Sequence, residues 1–378
     1  MRSALFVTWD GPGTNYLDGL FLPIFAGLRE HGVAVSVLQF TWGDAAPQAP
    51  GVQVVRVPRA GAVGQAWLLA RGPAYVARAA QRVGADVLYP RSLLPLAICM
   101  RARKPGMQLV FDADGLVADE RAEFAGWSTA GPAYRWYRDL EAQGIRNADA
   151  VITRTARARE ILLARGGAGV PPERVVAIPN GKNERSFFPG SPAERAMFRA
   201  AHGIPTAAPW LVYAGSIGPQ YHLAEMLDLH ARVRDLHPDA RLTLLTGATL
   251  QGGPGVDVRR VSPVDVPRWL QSADVGLSLR TPSFSQRGVS PIKAGEYQLC
   301  GLPVVATRVG DLEDQLGASL FLDDVGSASL DRAAAWISRD VMPHRDALRE
   351  EAREAGLATF GLTRVVGEYA RVFAGLPS

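Results

Sequence analysis

The sequence predicts an α/β protein of two parallel-sheet halves. Three features predict it: a length of 378 residues, two successive alternations of apolar runs with helical stretches, and a Pro/Gly/Asn-rich segment between them. The first alternation begins with ALFVTW, a helical stretch over 16–31, the runs VAVSVLQF and VQVVRV, a helix near 65–83, DVLYP, a further helix and MQLVFDAD. A helix over 135–146 and the run AVIT complete it. These runs are almost continuously apolar, as strands are when helices cover both faces of a sheet. The segment VPPERVVAIPNGKNERSFFPGSP reads as a linker. Beyond it come WLVYAG, a helix over 222–236, RLTLLTG, a helix near 267–272, DVGLSL, a helix over 291–300, PVVATR and SLFL. The phrases GADVLY, NADAVIT and SADVGLSL each join a helix end to a buried strand and speak for topology, not for binding. The expected domains are 1–185, 186–356 and a C-terminal helix, 357–378, packing back on the first domain.

Composition excludes several classes. Hydrophobic residues make up 47% and charged residues 21%, and 39 Gly with 27 Pro stay below low-complexity levels, so the chain is globular. A formal charge of +4, without long runs of like charge, gives no nucleic-acid footprint. A weakly basic patch facing a membrane stays open. The apolar stretches at 19–28 and 93–100 fall far short of the ~20 residues that span a bilayer. The start, MRSALFVTWD, reads as a first strand and not as a signal peptide. The expected location is cytoplasmic, with the inner face of the membrane left open. Cys99 and Cys300 form no CxxC, which argues against a disulfide framework or a structural zinc. Of 41 basic residues only Lys104, Lys182 and Lys293 are lysine, so each marks a place where an ammonium is wanted over a guanidinium.

The segment SPIKAGEYQLCGLPVVATRVGDLED, residues 290–314, carries the most chemistry. Ser290 suits an N-cap and Pro291 the first helical position, so a helix N-terminus with free amides is expected here. Such an end attracts anions. Lys293 on the first turn can neutralise a phosphate, and Glu296 one turn on can accept hydrogen bonds from sugar hydroxyls. The cap alone is an ordinary helix start. The cap with a cation and a lone carboxylate points to a nucleoside-diphosphate site. Gly301 ends the helix and PVV opens the next strand.

On Glu296 and Gly301-Leu302-Pro303-Val304-Val305 the chain resembles the family 4 glycosyltransferases of the GT-B fold, with support from IPNG at 178–181, YAGSIG at 213–218 and SADVGLSL. The resemblance implies two Rossmann-like domains facing across a cleft, retention of anomeric configuration, and a Glu296 that holds the donor ribose. Gly215, Ser216, Tyr221, Arg280, Ser290, Ile292 and Lys293 are the further donor-binding residues expected in the second half. Two departures stand out. The family's Glu-x7-Glu would begin at position 288, which is Gly288, and the usual Arg and Lys are missing from the loop GSIGPQY. Lys293, with Arg280 and Arg287, is the expected replacement, because a diphosphate leaving group needs positive charge. GSxG with a Tyr and SPxK before the Glu mark a subtype.

In the first half, WDGPGTNYLDGL places Gly11 and Gly13 after the first strand, but Tyr16 stands where a dinucleotide fingerprint needs a third Gly. Either a plain tight turn or a close backbone approach to ligand fits, and Gly13 is counted with the donor site. FDADGLVADERAEFAG puts Asp112, Asp114, Asp119 and Glu120 at a strand's carboxyl end. Asp-Ala-Asp matches the metal-binding DxD of the GT-A fold, yet a single-domain GT-A leaves the second half unexplained. Asp114 is expected at the sugar or acceptor, and a solvated carboxylate cluster is the alternative. No His lies in a metal-ligand spacing, so neither metal nor cofactor is expected. Tyr134, Trp136 and Tyr137 form either the packed face of a helix or an acceptor- or membrane-facing surface.

The expected activity is a retaining transfer from a UDP-, GDP- or dTDP-sugar to a hydroxyl of a glycan, lipid-linked or small-molecule acceptor, in surface polysaccharide or glycoconjugate synthesis. Lys293, Asp114 and Arg287 are the catalytic candidates. A sugar-nucleotide epimerase or hydrolase of the same fold, or a silent sugar-nucleotide-binding partner, are the alternatives.

Overall fold

A computed structural model describes residues 1–11, 16–43 and 51–377. It divides into two compact units, one of Met1–Pro179, Phe284–Val289 and Val365–Ser378, the other of Asn180–Ser283 and Ser290–Arg364. The strands of the first unit are β1 (Arg2–Trp9), β2 (Val33–Thr41), β3 (Val52–Arg56), β4 (Val87–Pro90), β5 (Gln108–Asp112), β6 (Ala150–Thr153) and β7 (Val175–Ala177). They form one parallel sheet in the order β3-β2-β1-β4-β5-β6-β7. Those of the second unit are β8 (Trp210–Ala214), β9 (Arg241–Leu245), β10 (Val256–Arg259), β11 (Val275–Ser278), β12 (Val304–Thr307) and β13 (Ser319–Leu322). Their order is β10-β9-β8-β11-β12-β13, again parallel throughout. Both sheets are thus doubly wound, and each reverses direction once, between β1 and β4 and between β8 and β11. Ligands of such sheets bind outside the carboxyl ends of the strands at that reversal.

The central strands are buried as their apolar runs require: Phe6 and Val7 of β1, Trp210 to Tyr213 of β8 and Val304 to Ala306 of β12 have no exposed surface. Two edge strands escape the apolar pattern. β10 reads VDVR, alternating because an edge strand is covered on one side only, and β7 is the VVA inside the segment taken as linker. The helix Pro192–Ala201 in that region starts with a capping box, in which Ser191 Oγ accepts from the Glu194 amide at 3.2 Å and Glu194 Oε2 accepts from the Ser191 amide at 2.8 Å. Among the described residues no helix is long and apolar enough to cross a membrane. Cys99 and Cys300 are buried and unpaired. In the helix Pro132–Asn147, Tyr137 is buried against Trp127, whereas Trp136 is exposed. Tyr134 donates its hydroxyl to Asp119 Oδ1 at 2.9 Å.

Charge is concentrated at the carboxyl edge of the first sheet. Arg154, fully buried just after β6, donates through Nη2 to Asp112 Oδ1 at 2.6 Å and through Nη1 to the Tyr369 hydroxyl at 2.8 Å. Desolvation pulls the guanidinium down, but Asp112, Tyr369, Asp114 and Tyr89 together outweigh it and hold Arg154 well above its ordinary value. Arg91, at the end of β4, donates to Asp10 Oδ1 at 2.9 Å and to Asp114 Oδ2 at 2.7 Å. The C-terminal stretch adds Phe373, whose ring lies edge-on to Tyr89 at 5.7 Å, and is tied by Arg2 Nη2 donating to the Leu376 carbonyl at 2.6 Å.

Breaking a buried ion pair from one side leaves an uncompensated charge. Arg154→Met is therefore expected to lower stability by about 3–5 kcal/mol in urea titrations. Asp112→Asn in the same chain should restore most of the loss, and no recovery in the double variant would contradict the pairing.

Candidate functional site

The second unit gathers its polar groups at the reversal between β8 and β11. β8 runs into Gly215, whose φ of 148° lies outside the range of ordinary side-chain-bearing residues. A Cβ there would stand 3.0 Å from Lys293 Nζ. The loop that follows is pinned at three places: the Tyr213 hydroxyl donates to the Ser216 carbonyl at 2.5 Å, the Tyr221 amide to the Gly218 carbonyl at 2.9 Å, and the Thr281 amide to the Gln220 carbonyl at 3.0 Å. Tyr221 forms an antiparallel bridge with Arg280. Thr307 of β12 fixes Arg280 in turn, its Oγ1 accepting from the Arg280 amide at 2.8 Å and donating to the Arg280 carbonyl at 2.6 Å. The Arg280 guanidinium lies over the Tyr221 ring at 4.9 Å and donates to its hydroxyl at 3.3 Å.

Lys293 enters this cage from the first turn of the helix Ile292–Leu299. Its Nζ is 3.9 Å from the centre of the Tyr213 ring and 4.5 Å from that of Tyr221. It is buried and has no hydrogen-bond partner among the described residues. Burial without an acceptor, reinforced by the charge of Arg280 and only partly opposed by Glu296, holds Lys293 well below the usual lysine range. Of the first-turn amides, that of Ala294 donates to the Pro291 carbonyl at 3.0 Å, which leaves those of Ile292 and Lys293 without an intrahelical acceptor.

The expected cap is corrected. Pro291, with φ −64° and ψ 117°, occupies the N-cap position, and Ile292 is the first helical residue. Ser290 serves Asn180 instead: its carbonyl accepts from Asn180 Nδ2 at 2.7 Å and its Oγ from the Asn180 amide at 3.4 Å. A serine facing the chain segment behind it cannot also turn its hydroxyl to the helix amides. Glu296, one turn on and half-buried, pairs with Lys182 at 2.9 Å. Lys182 is fixed through its main chain, its amide donating to the Phe360 carbonyl at 2.8 Å and its carbonyl accepting from the Leu362 amide at 2.9 Å. Neither Asn180 nor Lys182 stood among the expected site residues. The scarcity of lysine and the phrase IPNGK were the signals for them.

The structure thus brings Gly215, Tyr221, Arg280 and Lys293 to one point, with Ser216 on the adjoining loop and Ser290, Ile292 and Glu296 at the head of the helix. Asp114 and Arg287 belong to the first unit. Asp114 follows β5 in a left-handed conformation, φ 60°, which Asp tolerates, and its side chain is 32% exposed beside Arg91. Arg287 is exposed, lies over the Phe284 ring at 5.2 Å, and accepts the Thr155 hydroxyl on its carbonyl at 2.6 Å. Gly288 next to it stands where the Glu-x7-Glu pattern has its first carboxylate, and the position is tight: a Cβ there would stand 3.2 Å from Leu116 Cγ and 3.3 Å from the Leu116 amide nitrogen. Gly13 lies outside the described residues. The Asp-Ala-Asp carboxylates are engaged by arginines, Asp112 with Arg154 and Asp114 with Arg91.

Two family models match the chain, the glycosyl transferase 4-like domain over residues 21–181 and the glycosyl transferases group 1 over residues 208–337. The chain belongs to the family 4 glycosyltransferases of the GT-B fold. It is similar to a D-inositol 3-phosphate glycosyltransferase of Stackebrandtia nassauensis, 27% identical over 352 residues that cover 80% of this chain and 74% of that protein. Anabaena HepE in complex with UDP-glucose shares the fold with a TM-score of 0.72 at 18% identity, covering 100% of both chains. Sucrose-phosphate synthase of Thermosynechococcus elongatus does so with a TM-score of 0.72 at 17% identity, covering 99% of this chain and 98% of that one.

For this glycosyltransferase the lowered Lys293 has a stability consequence. Between its folded value and the ordinary lysine value of about 10.4, the unfolded chain binds the proton more readily, so stability falls as pH falls through that window. Lys293→Met is expected to raise stability by about 1–4 kcal/mol at neutral pH and to flatten the dependence of the thermal midpoint on pH between neutrality and about 10. A variant less stable than the wild type, with the same pH slope, would contradict the burial of an unpaired amine.

Proposed function

We propose that the protein is a retaining glycosyltransferase whose second unit binds a nucleoside-diphosphate sugar. The observation carrying this is Lys293 Nζ, buried without an acceptor under Gly215 at the β8/β11 reversal, beside a helix N-terminus. A diphosphate supplies the acceptors that this nitrogen and the amides of Ile292 and Lys293 lack. Glu296, held by Lys182 one turn further along, accepts from the ribose hydroxyls. The fold shared with a protein crystallised with UDP-glucose favours a uridine nucleotide as the first donor to try.

In the reaction the bond between the anomeric carbon and the β-phosphate oxygen breaks, and the nucleoside diphosphate leaves. Lys293, the helix amides and Arg280 meet the charge that grows on the leaving oxygen. The acceptor hydroxyl attacks from the same face, passes its proton to the departing β-phosphate oxygen, and so retains the configuration. Asp114, aimed by Arg91, is the proposed contact to the sugar or acceptor hydroxyls, and Arg287 the further cation. Side-chain cations and amides do the work of a metal. The acceptor is a hydroxyl of a glycan, lipid-linked or small-molecule compound in surface polysaccharide or glycoconjugate synthesis, and the reaction runs in the cytoplasm.

Incubation with UDP-, GDP- and dTDP-sugars tests this. Acceptor-dependent release of the diphosphate is expected. Epimerised donor, or binding without turnover, would contradict transfer. Turnover should be unchanged in EDTA, and loss restored by manganese would overturn the metal-free mechanism. Lys293→Ala should lower turnover roughly a hundred- to thousand-fold, from about 2.7–4 kcal/mol of lost transition-state stabilisation. It should lower nucleotide affinity less, because the charge on the leaving oxygen develops only as the bond breaks. Lys293→Arg should rescue only in part, since a planar fork does not fit the space of an ammonium. Glu296→Ala should weaken nucleoside-diphosphate binding by about ten- to a hundredfold, the value of charged hydrogen bonds, with the thermal midpoint little changed.

A further inference from the structure

Lys293 Nζ is buried and makes no hydrogen bond to any described residue. From β8 come the Tyr213 ring at 3.9 Å and the Gly215 backbone, close enough that a Cβ would stand 3.0 Å away. From the following loop comes the Tyr221 ring at 4.5 Å. The cation Arg280 follows β11 and is turned over Tyr221. On its own helix the one carboxylate is Glu296, and that is engaged by Lys182 at 2.9 Å. The faces of the two rings favour an ammonium by about 0.5–2 kcal/mol. Removing an ammonium from water without a hydrogen-bonding partner costs several kcal/mol, and Arg280 adds repulsion. The second effect wins, so burial favours the neutral amine in the resting protein.

We propose that the donor diphosphate binds together with a proton, which settles on Lys293 Nζ. The inference rests on the reading of the second unit as the donor site. The step balances simply: the amine lone pair takes a proton from solvent buffer, one N–H bond forms, and one buffer acid becomes its conjugate base. The diphosphate brings both the opposite charge and the acceptors that make the ammonium the favoured form. A site of this kind carries its full positive charge only when a phosphate is present. It therefore leaves no bare ammonium in the empty protein and has little attraction for ligands without a diphosphate. Affinity for the nucleotide should then fall by about tenfold per pH unit once the free amine is the resting form and the bound one is charged.

The test is calorimetric titration of the full chain with UDP at pH 8 in two buffers of different ionisation heat, HEPES and Tris. The terminal phosphate, with a second pKa near 6, is already ionised there and contributes no proton. About one proton taken up per UDP bound is expected in the wild type. Lys293→Arg, whose guanidinium stays charged, should bind UDP with no uptake, and Lys293→Met should bind more weakly, also with none. Equal heats in the two buffers for the wild type, or uptake that persists in either variant, would overturn the proposal. Absence of binding by UDP, GDP and dTDP alike would overturn the donor-site reading itself.

Discussion

An amine with no hydrogen-bond acceptor among the described residues, buried under the end of a central strand, is the constraint around which the second unit is arranged. Gly215 is required where any side chain would meet Nζ. Tyr213 and Tyr221 supply ring faces in place of acceptors, and Thr307 holds the Arg280 backbone on both its donor and its acceptor. The sheet order makes this arrangement unavoidable. β8 and β11 are adjacent although they are distant in sequence, so the turn after each opens into the same space, and the helix Ile292–Leu299 directs its first turn there.

The first unit has the same winding and the opposite electrostatics. Along its carboxyl edge the charges are matched, Asp10 and Asp114 on Arg91 after β4 and Asp112 on Arg154 after β6, with the Tyr369 hydroxyl accepting from Arg154. Arg91 has Tyr16 over its face at 4.6 Å as well. Of these paired groups, Asp114 is the one left partly exposed, its side chain 32% accessible. The first unit thus keeps a partly exposed carboxylate at its sheet edge, and the second an amine with no acceptor among the described residues.

The two-sheet architecture was legible because central parallel strands are apolar on both faces and leave unmistakable runs. β7 and β10 were not, since an edge strand is short and half-covered and reads VVA or VDVR, indistinguishable from loop. Lys293 and Glu296 could be picked out by their spacing on one helix and by the rarity of lysine. Their environment could not. The pairing of Glu296 with Lys182, the diversion of Ser290 to Asn180 and the clamp of Arg91 on Asp114 all join residues far apart in sequence, and a local pattern holds no trace of them. The absence of a Glu at Gly288 was visible as a departure. The tight packing of that position against Leu116 appears only in three dimensions.

A crystal structure of the complex with UDP tests the central claim most directly. A β-phosphate oxygen within hydrogen-bond reach of Lys293 Nζ and of the Ile292 and Lys293 amides, with the ribose hydroxyls on Glu296, is the predicted result. UDP seated elsewhere in the second unit, with Nζ still facing the rings of Tyr213 and Tyr221, would contradict it.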